Sequence, residues 1–170
     1  MLRLSNRGRY AVRALFDLAF HQQGTRSAVQ VRDVAERQRI PLRFLEQIFQ
    51  DLKRAGLVES KRGPRGGFTL VRPPEEIRLG DVLRAVEGPV AMVEPKRRGA
   101  SRASSDENVT RAARLREVAD AVLADVGRSV ERCFDEVTLR DLCMRGEEAG
   151  VRRPSATRPN AAAPPARWVI

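Results

Sequence analysis

Apolar residues recur at helical spacing in several separate stretches of this chain, and at strand spacing in one. Between Ser5 and Gln22, the residues Val12, Leu15, Phe16, Ala19 and Phe20 fall on one face of a helix that Ser5 is placed to cap. Gln30–Gln38 carries Val31, Val34 and Ala35 at the same spacing. After Arg39-Ile40, Pro41 opens a further helix, because its missing N–H is not needed in a first turn. Leu45, Ile48, Phe49 and Leu52 then give that helix its apolar stripe, and Gly56 can close it in a left-handed conformation. Leu57–Ser60 and Phe68–Val71 read as strands flanking Gly63-Pro64-Arg65-Gly66-Gly67, which predicts a β-hairpin with a basic, glycine-rich tip. Pro73-Pro74 breaks the chain, and Asp81–Val86 forms a short helix packed behind the hairpin and stopped by Gly88-Pro89.

The second half is organised differently. Pro95–Glu107 is polar and without apolar periodicity, the composition of a flexible loop. Leu115, Val118, Val122, Val126 and Val130 then recur every three or four residues, a single aliphatic seam on a long helix. A seam that follows a complete small domain needs a partner surface. A second copy of the chain is the economical partner, the alternative being packing back on its own domain. Thr138 caps a short closing helix over Thr138–Cys143, and the Arg-, Pro- and Ala-rich stretch from Gly146 lacks the apolar content to fold alone. The expected fold is mainly α with a small β-hairpin wing. It divides into a winged helix-turn-helix domain (1–90), a flexible loop (91–107), a dimerisation helix with the closing helix (108–145) and a disordered tail (146–170).

Charge sharpens that picture. The net charge is +10, and residues 1–72 hold fifteen Arg/Lys against six Asp/Glu, so +9 of it lies in the winged-helix segment. Such segregation points to a polyanion, and the absence of a run of about eighteen apolar residues argues against a membrane. Two cysteines, Cys133 and Cys143, are too few for a disulfide scaffold and suit a reducing, cytoplasmic setting. They form a candidate redox pair, with the plainer alternative of two structural thiols. No Ser–His or Cys–His pairing with a believable spacing is present. The glycine-rich stretch links two strands rather than opening a helix, so an enzyme is not expected.

Candidate contacts follow from side-chain chemistry. Arg7, Arg9 and Arg13 lie off the apolar face of the first helix, where they can meet phosphates or simply be solvated. On the helix after Pro41, the residues Arg43, Glu46, Gln47, Gln50 and Arg54 fall opposite the stripe. Arg can pair with guanine, Gln with adenine, and Glu can accept from cytosine N4. Arg62 and Arg65 belong to the wing. His21 has no nearby carboxylate or cysteine that suggests a metal site and reads as a helix-end surface residue.

Several long motifs, in order, resemble one family. Ser5–Leu15 (SNRGRYAVRAL), Ala35–Phe49 (AERQRIPLRFLEQIF), Leu52–Leu70 (LKRAGLVESKRGPRGGFTL), Ile77–Pro89 (IRLGDVLRAVEGP) and Val137–Leu142 (VTLRDL) are similar to those of the Rrf-type (IscR/NsrR/CymR-like) winged helix-turn-helix regulators. The resemblance implies a recognition helix over Pro41–Ala55 and a wing from Arg62 to Gly67. It implies roles for Glu46 and Arg62 in base and minor-groove contact, and a dimerisation helix near Asn108–Arg132. It implies a homodimer on a palindromic double-stranded operator, acting as a repressor. Many members bind an iron–sulfur cluster through three cysteines between the GP motif and the dimerisation helix. Here Val90–Thr110 has no Cys and no His, and Lys96, Arg97, Arg98 and Arg102 stand in that loop. Ammonium and guanidinium groups do not ligate iron at neutral pH, so no cofactor is expected. Control by a small effector or a protein partner near the loop remains open. The alternative function is a winged-helix protein-interaction module that no longer binds DNA.

Overall fold

The computed structural model describes residues 4–22, 28–63, 66–89 and 107–152, with side chains from Arg111 onward in the last segment. Helix α1 (Asn6–His21) starts where Ser5 adopts an extended conformation and its hydroxyl accepts from the Gly8 N–H at 3.2 Å. Its most deeply buried residues are Ala11, Ala14, Leu15 and Leu18, all at 0% exposure. The face expected from Val12 and Phe16 is therefore rotated. Helix α1 is packed by α2 (Val31–Gln38), α3 (Leu42–Arg54), α4 (Leu79–Glu87) and α6 (Leu139–Glu148). Surrounded on so many sides, it turns its alanines to its neighbours, because small side chains let backbones approach.

Pro41 lies one residue outside α3, and its carbonyl accepts from the Leu45 N–H at 3.0 Å. Leu45, Ile48, Phe49 and Leu52 are buried as the spacing requires. Strands β1 (Val58–Lys61) and β2 (Gly67–Leu70) pair antiparallel with Val58 opposite Leu70 and Lys61 opposite Gly67. Each begins one residue away from the sequence expectation. The hairpin is tied to the domain by a bridge that local pattern does not reveal: Val29 and Phe68 exchange N–H to O bonds of 2.9 and 2.8 Å. A Cβ on Gly67 would collide with the Val29 carbonyl, so this approach requires glycine.

Helix α4 packs chiefly on α1, and also on α3 and α5 (Glu107–Asp135), instead of standing behind the hairpin. Gly8 permits the α1–α4 approach, since a Cβ there would lie 3.0 Å from the Leu83 side chain and against Glu87. The C-terminal end of α5 is fastened to α4. Asp135 accepts from Arg84 at 2.7 and 3.1 Å, which holds the guanidinium's pKa above its ordinary value, and Arg78 donates to the Asp135 carbonyl. Backbone bonds Leu79 N–H to Val137 O and Leu139 N–H to Ile77 O, each 2.9 Å, complete the joint. Helix α6 is capped by Thr138 as expected, with a reciprocal box to Asp141. It runs to Glu148, three residues into the stretch whose composition suggested a tail, because Leu139 and Cys143 anchor it in the core and Gly150 closes it. Residues 153–170 of that tail and the 91–106 loop lie outside the described residues.

Candidate nucleic-acid interface

Helix α3 buries one face and presents the other. Arg43, Glu46, Gln47 and Gln50 are all exposed. Beside them an open cleft of about 390 Å³ is lined by Gln30, Val31 and Arg32 at the start of α2, Leu42 and Glu46 of α3, and Gly63, Gly66 and Gly67 of the wing. Helix and wing thus form two walls of one concave surface, with Glu46 facing the space between them. The wing turns on glycine: Gly63 has φ +112°, and a Cβ on Gly66 would collide with the Lys61 carbonyl oxygen. Arg62 is exposed at the end of β1, while Arg65 lies outside the described residues.

The basic residues of the first helix divide into two groups. Arg7 is drawn inward. It pairs with Asp51 on the inner side of α3, and Arg54 pairs with the same carboxylate. Asp51 is only 7% exposed. Arg13 bonds the Gln38 carbonyl oxygen and side chain, and its guanidinium lies 5.8 Å from the Tyr10 ring centre. Arg9 is exposed and has no ion pair among the described residues. Arg13 is also exposed but is held by Gln38, so of the three arginines only Arg9 has a guanidinium with neither an ion pair nor a side-chain hydrogen bond among the described residues.

A second buried carboxylate holds α2 against α1. Asp17, 3% exposed, accepts from Arg37 at 2.6 and 3.1 Å and from Gln38 at 2.9 Å. His21 is not an isolated surface residue: its Nδ1 lies 2.7 Å from the Asp17 carbonyl oxygen and 3.4 Å from the Asp17 carboxylate. Neither Asp17 nor Asp51 is fully marked by local sequence: each has one partner within a helical turn, His21 or Arg54, but Arg37, Gln38 and Arg7 lie twenty or more positions away. The only signal is an acid placed on the apolar side of a helix.

On α5 the seam is open. Leu115, Val118, Val122 and Val126 are 65, 63, 56 and 44% exposed, joined by Leu123 at 46%, and Val130 is half-buried. Cys133 is exposed near the end of α5, whereas Cys143 lies on the buried face of α6 at 1% exposure; neither is in a disulfide. No helix among the described residues is long and apolar enough to cross a membrane.

Comparison with known proteins agrees with this geometry. The model of the Rrf2 family, described as an iron-dependent transcriptional regulator, matches residues 4–145. The HTH-type transcriptional regulator IscR of Cereibacter sphaeroides is 50% identical over 86 residues, 51% of this chain and 56% of that protein, so the chain spans about half the length of this relative. An rrf2-like HTH-type regulator of Rhodobacter capsulatus is 32% identical over 86% of this chain and 95% of its own. Among solved structures, T. potens IscR has a TM-score of 0.65 at 33% identity, covering 90% of this chain and 94% of its own. CymR, the global cysteine regulator of B. subtilis, has 0.62 at 30%, covering 85% and 98%.

The word iron in the family description calls for a test of the donors. An iron–sulfur cluster is held by cysteine thiolates, with histidine replacing some of them in one class. This chain has two cysteines and one histidine in all. Cys143 is enclosed in the core and His21 is engaged with Asp17. Among the described residues no three His, Cys, Asp or Glu side chains could hold a metal together. The residues present do not fit a conventional cluster. Fold, motifs and homologues meet on one conclusion: the chain belongs to the Rrf2 family of winged-helix transcriptional regulators, a family of DNA-binding proteins rather than enzymes.

Proposed function

We propose that the protein is a homodimeric, sequence-specific DNA-binding regulator that represses transcription from a palindromic operator and works without a conventional iron–sulfur cluster. The observation that carries this reading is the concave surface formed by the exposed face of α3 and the glycine wing, in the half of the chain that holds +9 of the +10 net charge. Arg43, Glu46, Gln47 and Gln50 supply groups that read base edges in a major groove, and Arg62 and Arg65 bring charge to the flanking minor groove. Arg9 serves as a phosphate contact. Arg7, committed to Asp51, acts by holding α3 in place. The exposed seam of α5 is the surface on which a second copy docks.

Footprinting on the DNA upstream of the protein's own coding sequence, with a linked transcription reporter, tests binding and repression together. Glu46→Ala is expected to change which sequences are protected. Arg62→Ala and Arg65→Ala are expected to weaken binding across sequences, each lowering the slope of log K against log salt by about 0.9 for every phosphate left without its arginine. An unchanged slope in both wing variants removes the wing from the interface. Failure of the wild-type protein to retain any genomic fragment sinks DNA binding itself.

A further inference from the structure

Helices α2, α3 and α6 end in the same way. At the end of α3, Gly56 N–H bonds the Lys53 carbonyl and Leu57 N–H the Leu52 carbonyl, each at 3.0 Å, with Gly56 at φ +70°. At the end of α6, Gly150 N–H bonds Glu147 O at 2.9 Å and Val151 N–H bonds Gly146 O at 3.0 Å, with Gly150 at φ +81°. This is the Schellman motif, which needs one left-handed residue and is usually served by glycine, the residue without a Cβ to clash. At the end of α2 the bonds recur, Arg39 N–H to Glu36 O at 3.2 Å and Ile40 N–H to Ala35 O at 2.9 Å, but the left-handed residue is Arg39, at φ 52° and ψ 49°. It is the one non-glycine residue with positive φ among the described residues.

The motif explains why the backbone is left-handed there, and buried Ile40 supplies its usual apolar contact. It does not explain an arginine in a place where two sister motifs use glycine. Nothing in the fold uses the side chain: Arg39 is exposed and has no ion pair or hydrogen bond from its guanidinium to any described residue. Its neighbours differ. Arg37 is held by Asp17, and Arg13 is held by Gln38. Arg39 and Arg43 are the guanidiniums left open around the turn, and both stand at the N-terminal end of α3, the end that carries Glu46 into the cleft. A strained residue is an observation from which function can be inferred.

We propose that Arg39 is a further DNA-backbone contact, kept in an unfavourable left-handed conformation so that its guanidinium meets a phosphate beside the entry point of α3. The inference deepens the DNA-binding reading and rests on it. The turn between α2 and α3 then does two things at once: it aims the recognition helix and anchors its N-terminal end to the duplex.

Three variants test this on the full-length protein with a short mixed-sequence DNA duplex, since a phosphate contact does not depend on sequence. Arg39→Gly is expected to raise the Tm by about 2 °C, because strain is relieved. Arg39→Gly and Arg39→Gln are each expected to lower the salt slope by about 0.9 per protomer, which corresponds to about five-fold weaker binding per protomer at physiological salt. Arg39→Lys is expected to keep the wild-type slope. The proposal is overturned if Arg39→Gly and Arg39→Gln keep the wild-type slope, if Arg39→Lys loses as much as Arg39→Gln, or if Arg39→Gly lowers the Tm, which would show the side chain is held for folding. A wild-type protein that binds the duplex with no salt dependence, or not at all, defeats the DNA-binding reading first and is thereby told apart from a failure of Arg39 alone.

Discussion

Val122→Asp should separate the proposed dimer into folded protomers. Val122 lies mid-seam on α5 and is 56% exposed in the isolated chain, so an aspartate there costs the protomer little. Leu115, Val118, Val122 and Val126 take eleven residues over three steps, about 3.67 residues per step, close enough to the helical repeat to keep the stripe on one face. Fully burying a Val or Leu contributes roughly 1.5–3 kcal/mol, so a side chain already about half-buried has about 1 kcal/mol left to gain from a partner. With Leu123 beside these four, five such residues on each of two protomers give a gross upper estimate of about 10 kcal/mol. Association itself costs on the order of 4–15 kcal/mol, so little margin remains. The substitution removes about 1 kcal/mol per protomer, and placing a carboxylate in an apolar seam costs about as much again, because the charge must be desolvated. Two-fold symmetry doubles both, for about 4 kcal/mol and a dimer constant weakened about a thousand-fold. Sedimentation equilibrium over a concentration series measures the constant, and thermal unfolding at high dilution checks that the protomer is intact. A variant dimer constant within ten-fold of wild type, with the fold unchanged, would show that this seam is not the interface.

Two further expectations concern the charged ties inside the DNA-binding unit and at the start of α6. Asp17→Ala strips Arg37 and Gln38 of their shared acceptor and should destabilise by about 2 kcal/mol, below the ~3–5 kcal/mol of a fully enclosed pair because Arg37 is 35% exposed; a chemical-denaturation midpoint equal to wild type would refute that role. Asp141, its carboxyl held below the ordinary range by the Thr138 hydroxyl and N–H, stabilises the start of α6 above the unfolded pKa of about 3.9 and loses that effect as pH falls through its lowered value. The Tm of Asp141→Asn should therefore trail wild type at neutral pH and converge with it in acid; a gap that persists or widens in acid contradicts the assignment.

What the sequence made legible was mostly local. Ser5 and Thr138 cap the helices they were expected to cap, and the Leu45–Leu52 stripe is buried residue for residue. Local pattern works there because the cause is local: a hydroxyl three residues from an N–H, or an apolar side chain every helical turn. It failed where the cause is a distant partner. The buried face of α1 is decided by four helices that close around it, which selects Ala11 and Ala14 over Val12. The seat of α4 on α1 depends on Gly8, and the joint to α5 on a glycine at position 80, whose Cβ would collide with the Asp135 carboxylate. Position in a motif does not announce such approaches. The left-handed turn at Arg39 was hidden for the opposite reason, since the residue there gives no hint of the conformation it holds.

Those same ties change what the charge excess means. Pairing does not reduce the +9 of the first seventy-two residues, because the acids were already counted; it fixes where the excess lies. Asp17 and Asp51, both nearly buried, engage Arg37, Arg7 and Arg54, of which Arg54 stays mostly exposed. The guanidiniums with no ion pair among the described residues include Arg9, Arg39 and Arg43, together with Arg32 at the mouth of the cleft and Arg62 on the wing. A buried carboxylate that engages two guanidiniums thus serves the surface as well as the core. It gives those guanidiniums a protein counter-ion, so the arginines without one lie along the helix-and-wing surface, where a phosphate backbone can follow them. Asp51 joins the two tasks in one residue. Through Arg7 it ties α3 to α1, and together with the buried stripe this tie keeps Glu46 and Gln47 on the exposed face that is proposed to meet the groove.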